Sequence, residues 1–263
     1  MEKMEIFGQS LSRLRAFLDL EYKGLNISPI VSKSQELDEI FIKDFLEISK
    51  WLSEHLEVKF LNINLHLQET FIPKFENETD YLSYREKCRT LFNTLLQLPQ
   101  IIIIDFQGHF ENIWCEFLYH ANFSLSDVTS TFNFNHLKKG ILPVSPMIKN
   151  LDQQNKNLFL TGQKLEASEL ANKIIPNQIY SSSDERRKII TTIKKNIFES
   201  SPTSIIQLKH AFSATTIEDY EKIIHYTYIN EDWKNNNKFK SIHELKNILA
   251  KVEQITTSEN QIN

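Results

Sequence analysis

Four consecutive isoleucines at residues 101–104 are the feature that most restricts how this chain can fold. Branching at Cβ leaves isoleucine few χ1 rotamers, which favours a pleated strand over a short helix. A strand that is apolar at every position, rather than at alternate positions, is typical of one with both faces covered. The run therefore predicts a doubly buried strand over residues 101–106, and we expect Gly108 to end it.

The segments around this run alternate between strand and helix, which predicts an α/β fold. Residues 16–31 alternate apolar and polar side chains around a Lys23-Gly24 turn and favour a hairpin, with a helix over its first half as the alternative. The pattern further predicts a helix over 37–56, a buried strand over 58–64, a helix from 77 to just before Pro99 capped by Thr79 or Asp80, a helix over 111–121 and an extended segment over 128–134.

The chain beyond about residue 147 is predicted to be mostly helical. Short amphipathic character at 166–173 is followed by longer helical patterns at 183–199, 203–230 and 241–254, and the polar tail from about 255 is predicted to be disordered. No linker rich in glycine, serine or proline is present, so the domain boundary that we predict near residue 200 is one that no linker marks.

Composition excludes several classes of protein. The 263 residues are 41% hydrophobic, which is ample for a folded, soluble domain. A net charge of -4 gives no basic footprint for nucleic acid, and the lysine-rich segment 233–240 reads as a solvated loop. No apolar run approaches the length of a membrane span, and no signal peptide is recognisable at the N-terminus. Cys88 and Cys115 lack metal or disulfide spacing, so we expect a cytoplasmic protein without a metal site.

Three motifs resemble those of the crotonase (enoyl-CoA hydratase/isomerase) superfamily. "LPQIIIIDFQGHFENIWCEFLYHAN" is similar to the family's LPKPVIAAVNGxAxGGGxELALxCD, and "FNFNHLKKGILP" to its FGxPExxLGxxP. "LFLTGQKLEASELANKIIPNQIY" resembles LLLTGxxxxAxEAxxxGLVxxVV and is the most specific match. With "SPTSIIQLKHAF", the resemblance covers most of residues 15–215. It implies a crotonase-like (ClpP/crotonase) ββα spiral core over residues 1–200, with a C-terminal helical region over 201–263 for cover or oligomerisation.

The resemblance also implies a chemistry. Crotonase-like enzymes hold an acyl thioester oxygen between two backbone N–H groups that stabilise an enolate, and carboxylates move the protons. Carried over by position, Glu116 is the catalytic acid or base and His136 occupies the second acid/base position. The oxyanion donors become Ile113 and, by a loose alignment, Phe75. Gly108 and Gly140 are matched to the family's turn glycines.

The partners follow from the same resemblance. The substrate would be a coenzyme A thioester or an acyl carrier protein, with no other cofactor. The assembly would be a homotrimer or a dimer of trimers.

The chain departs from the family pattern where a ligand would approach the backbone. Asn112, Ile113 and Trp114 replace the three glycines, and bulky side chains there fill the space of an acyl chain. Two hypotheses remain, an enzyme with an atypical oxyanion hole and a non-catalytic crotonase-like binding or assembly subunit. A helical wheel also offers a simpler reading, in which Glu116 is a surface residue paired with His120.

Overall fold

The computed structural model describes residues 3–5, 11–30, 36–171, 176–201, 204, 205 and 209. Two compact units divide the chain, Met1–Glu199 and Ser200–Asn263, and the elements below belong to the first. Apart from residues 204, 205 and 209, the helices predicted over 203–230 and 241–254, the solvated loop at 233–240 and the tail lie outside the described residues.

An antiparallel hairpin opens the described fold. Strands β2 (Leu14–Asp19) and β3 (Gly24–Pro29) pair along their whole length, and β1 (Lys3–Glu5) pairs with β2. Lys23 takes the positive φ of 52° that lets the chain reverse. The predicted hairpin is confirmed, and the helical alternative for its first half is wrong.

Two helix–strand repeats follow the hairpin. They comprise α1 (Glu39–Glu54), β4 (Phe60–Glu69), α2 (Glu78–Gln97) and β5 (Ile101–Glu111), with β3, β4 and β5 parallel. The Asn77 side chain caps α2 by accepting the Asp80 N–H at 2.9 Å, so the predicted cap at Thr79 or Asp80 is wrong by two to three positions. Asp80 instead lies in the first helical turn, where an acidic side chain favours the helix dipole.

Strand β5 runs through Gly108, so the prediction that this glycine ends the strand is wrong. Gly108 has φ +125°, and a Cβ there would lie 1.4 Å from the Leu67 carbonyl oxygen. The register of β4 and β5 shifts beside it, between Leu67 and Glu69. The absent side chain lets two backbones approach at this irregularity, and the strand continues to Glu111 instead of turning.

Most of the remaining elements are short, and the helix Ser183–Glu199 is the exception. The helix predicted over 111–121 is split into a single α-turn and a 3-10 turn at Phe117–His120. Two further 3-10 turns are Leu137–Lys139 and Pro146–Asn150. In chain order the other elements are α3 (Ile113–Glu116), β6 (Phe123–Asp127), β7 (Thr131–Asn133), α4 (Gln153–Thr161), β8 (Lys164–Glu166), α5 (Ala167–Ala171), β9 (Gln178–Tyr180) and α6 (Ser183–Glu199).

Within the described residues, nine strands form one sheet in the order β1-β2-β3-β4-β5-β6-β9. From β3 to β9 the neighbours are parallel, while β7 pairs with β5 and β8 pairs antiparallel with β7. The isoleucines of β5 lie in the middle of this sheet, and Ile102, Ile103 and Ile104 are buried, as the sequence predicted.

The two faces of the sheet differ in polarity because side chains alternate along each strand. One face carries aliphatic side chains such as Leu61, Ile63 and Leu65, which join those of α1 and α2 in the main core. On the other face of the sheet, β4 carries the side chains of Asn62, Asn64 and His66, and α6 contacts this polar face.

Candidate active site

Helix α3 begins immediately after β5 with a sharp change of direction. Asn112 has φ 52°, its N–H donates to the Asn133 carbonyl at 3.0 Å, and its own carbonyl accepts the Cys115 N–H at 2.9 Å. These bonds hold the start of α3 against β7. All four α3 residues are buried, so the helix is part of the core.

Trp114 fills the position where the resembled family carries glycine. Its ring is fully buried, lies 5.3 Å from the ring of Phe41 in an edge-to-face arrangement and stacks on Phe117 at 5.7 Å. The indole Nε1 donates to the Phe71 carbonyl at 2.9 Å. The side chain is thus both packed and hydrogen-bonded, as a buried tryptophan requires.

The Glu116 carboxylate has no exposed surface. Its Oε1 accepts from His136 Nε2 at 3.0 Å, and its Oε2 accepts the backbone N–H groups of Val144 at 3.0 Å and Ser145 at 2.6 Å. The surface reading of Glu116 with a His120 partner is therefore wrong. Instead, the two residues that the resemblance singled out, Glu116 and His136, lie in direct contact although they are 20 residues apart.

His136 is also fully buried, with its ring 5.0 Å from the ring of Phe159. Its Nδ1 is buried and has no hydrogen-bond partner among the described residues. Since Nε2 donates to Glu116, a neutral ring leaves Nδ1 as a bare acceptor, whereas a protonated ring would bury an N–H without an acceptor. The geometry accordingly favours an ionised Glu116 beside a neutral His136.

His120 reaches the same loop by another route. Its Nε2 lies 2.7 Å from Ser145 Oγ, and its ring stacks on Phe92 at 4.6 Å. Ser145 Oγ also accepts the Met147 N–H at 3.1 Å, which caps the 3-10 turn that follows. Glu116 accepts from the backbone N–H of Ser145, and His120 contacts the hydroxyl of the same serine. Ser145 therefore links the two side chains.

The two residues predicted as oxyanion donors lie in different environments. Ile113 is the first residue of α3, so its N–H has no acceptor within the helix, and its side chain is buried. Phe75 lies in the loop before α2, with its ring 5.3 Å from Tyr81 and 5.0 Å from Tyr84. Their role as a pair of donors stays a prediction.

Gly140, matched to a turn glycine, follows the 3-10 turn Leu137–Lys139 with a left-handed φ of 67°. Its N–H donates to the Leu137 carbonyl at 3.1 Å, and the next residue, Ile141, donates to the His136 carbonyl at 2.9 Å. These bonds reverse the chain between His136 and the loop that carries Val144 and Ser145, and so bring both groups of donors to one carboxylate.

Nucleophilic and metal chemistry find little support in the described part of the chain. Burial raises the pKa of Cys115 well above its ordinary value and that of Cys88 to about 12, so both thiols are protonated near neutral pH. No group of three or more potential metal ligands occurs among the described residues.

The loop donors Val144 and Ser145 could not be found from the sequence, because they act through backbone N–H groups.

Comparison with solved structures identifies the fold. An enoyl-CoA hydratase from Shewanella pealeana superposes with a TM-score of 0.73 at 14% identity, covering 94% of this chain and 95% of that one. For an enoyl-CoA hydratase from Bacillus anthracis the TM-score is 0.72 at 14% identity, with 97% of each chain covered. One from Mycobacterium smegmatis has a TM-score of 0.73 at 13% identity, covering 91% and 97%. No protein-family model and no curated protein sequence matches this chain.

This likeness confirms the predicted α/β, crotonase-like fold. At 13–14% identity it establishes the fold alone. In the described part of the chain, no helix combines the length and apolar character needed to cross a bilayer.

Proposed function

We propose that this crotonase-fold protein has no hydratase or isomerase activity and serves as a binding or assembly subunit. The proposal rests on one observation. The carboxylate that the resemblance assigns to catalysis has no exposed surface, and its oxygens already accept hydrogen bonds from His136, Val144 and Ser145.

A general acid or base must come within hydrogen-bond reach of the substrate atom that it protonates or deprotonates. To do so, Glu116 would have to exchange hydrogen bonds that contribute about 1.5–3 kcal/mol each when one partner is charged. Ile113 and Trp114, at positions where the resembled superfamily carries glycine, are also fully buried in the core. Both features support a structural role for the carboxylate.

The test is a pair of measurements on the purified full-length chain. Calorimetric titrations with coenzyme A and with crotonyl-CoA measure binding, and loss of crotonyl-CoA absorbance measures hydration, with an active enoyl-CoA hydratase as the positive control. We expect no hydration above the rate in buffer. Saturable turnover by the wild-type chain that disappears in a folded Glu116→Gln variant would overturn the proposal.

A second candidate is an enzyme that acts on an acyl thioester of coenzyme A or an acyl carrier protein by hydration, isomerisation or related enolate chemistry. The contact between Glu116 and His136 favours it, because two titratable groups 3.0 Å apart can exchange a proton. In this candidate Glu116 is the general acid or base, His136 assists, and the Ile113 and Phe75 N–H groups hold the thioester oxygen. The same turnover measurement separates the two candidates.

The location that we propose is the cytoplasm. Cys88 and Cys115 are both free and buried, which is compatible with a reducing compartment. The assembly that we propose, from the resemblance to the crotonase superfamily, is a homotrimer or a dimer of trimers.

A further inference from the structure

A pocket of about 420 Å³ lies between α6 and the polar face of the sheet. Its walls come from β2, β3 and β4 on one side and from α6 on the other. None of its lining residues belongs to the Glu116 site. Pockets of this size hold small organic ligands.

The charged groups around this pocket leave one positive charge uncompensated. Arg186, bonded to Asp105, and Lys194, 2.9 Å from Asp19, each have a carboxylate partner. Arg187 also lines the pocket, is exposed, and forms no ion pair with the described residues. Of the three Arg and Lys side chains that line the pocket, Arg187 alone therefore has no carboxylate partner among the described residues, and its guanidinium is available to an anion.

Two buried amide atoms in the pocket wall lack partners. Asn26 and Asn62 are paired across β3 and β4 and are 8% and 3% exposed. Asn26 Oδ1 accepts from both Lys194 Nζ and Asn62 Nδ2 at 2.9 Å, which fixes the orientation of both amides. Asn26 Nδ2 and Asn62 Oδ1 are left without a hydrogen bond among the described residues. Buried polar atoms are normally satisfied, so a donor and an acceptor left without partners on two residues that line the pocket point to a ligand.

We propose that this pocket binds a small organic anion, with its carboxylate or phosphate group at Arg187 and a hydroxyl or amide group toward Asn26 and Asn62. The uncompensated guanidinium supplies the affinity for negative charge. The unpaired donor Asn26 Nδ2 and the unpaired acceptor Asn62 Oδ1 favour a ligand group that can both accept and donate a hydrogen bond. Neither feature includes a residue of the Glu116 site, so the inference does not depend on the function proposed for that site.

Two probes distinguish a carboxylate ligand from a phosphate ligand. Calorimetric titrations of the full-length chain at low ionic strength use malate as the hydroxy-carboxylate and glycerol 3-phosphate as the phosphate ester, with glycerol as the uncharged control. We expect saturable binding of one anion or both, weakening as salt is added, and no binding of glycerol. Binding of neither anion would overturn the proposal, and so would equal binding of glycerol.

Two matched pairs of variants locate the binding. Arg187→Gln should weaken the anion about fivefold or more, whereas Lys195→Gln, which removes an exposed charge from the same helix outside the pocket, should change it less than about twofold. Thr191 lines the pocket and is exposed, so Thr191→Glu should repel the anion while the uncharged Thr191→Gln should not. Equal effects within either pair would place the binding elsewhere and overturn the assignment.

Discussion

The Glu116 carboxylate joins three segments of the chain that are distant in sequence. It connects α3 to His136, 20 residues away, and to the backbone of Val144 and Ser145, 28 and 29 residues away. Burying a charge is costly unless hydrogen bonds compensate the lost hydration, and these three donors provide that compensation. The residue therefore stabilises the loop after Gly140 in the same way that a cap stabilises a helix end.

Replacing Glu116 with glutamine should destabilise the protein. The amide keeps one acceptor oxygen but turns an NH₂ group toward a backbone or imidazole donor, so we expect a loss of about 2–4 kcal/mol in the free energy of unfolding. Urea unfolding followed by circular dichroism measures it. The matched control is Glu47→Gln on the exposed side of α1, which should stay within about 0.5 kcal/mol of wild type. Equal effects of the two changes would contradict the structural role.

The two glycines matched to the family's turns should respond differently to alanine. At Gly108 the new Cβ would meet the Leu67 carbonyl at 1.4 Å with φ at +125°, so we expect a loss of about 3 kcal/mol or more. At Gly140 no atom lies within 4 Å of the new Cβ, and only the left-handed φ of 67° opposes it, at about 1–2 kcal/mol. Thermal and urea unfolding of both variants decide this. A larger loss at Gly140 would show that its surroundings are misassigned.

Helix α6 is attached to the sheet by a network of polar contacts centred on Asp105. This carboxylate, fully buried on β5, accepts from Tyr180 Oη at 2.8 Å and from His66 Nε2 at 2.7 Å, and also bonds Arg186 of α6. Burial alone would raise the pKa of Asp105, but the hydrogen bonds and charges of His66 and Arg186 outweigh burial and lower it. Helix α6 is thus held by the Asp105 carboxylate, whose pKa depends on whether the chain is folded.

This attachment should weaken in acid. Because the pKa of Asp105 is lower in the folded chain than in the unfolded one, its stabilisation is present above the ordinary aspartate value of about 4 and is lost as pH falls through the folded pKa. Asp105→Asn should cost about 2–4 kcal/mol near pH 7, and its difference from wild type should narrow below about pH 4.

Urea unfolding at several pH values tests this expectation. The control is Asp184→Asn in the exposed first turn of α6, for which we expect a small difference that does not vary with pH. A gap between Asp105→Asn and wild type that keeps the same size down to about pH 3 would contradict the assigned shift.

The whole chain shares its fold with enoyl-CoA hydratases over more than nine-tenths of its length, at about one identical residue in seven. A fold tolerates this divergence when total core volume and the pattern of apolar residues are kept. Site chemistry is less tolerant, because it depends on particular atoms. We therefore expect Asn112, Ile113 and Trp114, at the positions where the resembled superfamily carries glycines, to affect function while leaving the architecture intact.

The resemblance also predicts how copies of the chain assemble. We expect the full-length protein to sediment as a homotrimer or a dimer of trimers of the 31.0 kDa chain. Sedimentation velocity over a range of protein concentrations measures this, with the mass checked by light scattering. A single species at the mass of one chain would refute the prediction.

Much of the fold could be predicted because its signals are local. The hairpin over 16–31, the helix over 183–199 and the isoleucine strand follow from the periodicity of neighbouring side chains, and three motifs in order indicated the crotonase-like core. The alternation of Asn62, Asn64 and His66 along β4 was also a local signal, and it marks the polar face that the prediction of a simply buried strand overlooked.

The sequence by itself determined the alternation of strands and helices up to β5, and its resemblance to the crotonase superfamily named Glu116 and His136 as candidates. Only the tertiary structure decided that Glu116 is buried and bonded to Val144 and Ser145, and that Gly108 continues its strand. The reason is physical. Periodicity records which side of an element is apolar, but the state of the Glu116 carboxylate depends on atoms from segments 20 to 29 residues away, and that of Gly108 on the Leu67 carbonyl of β4. These atoms meet only when the chain is folded.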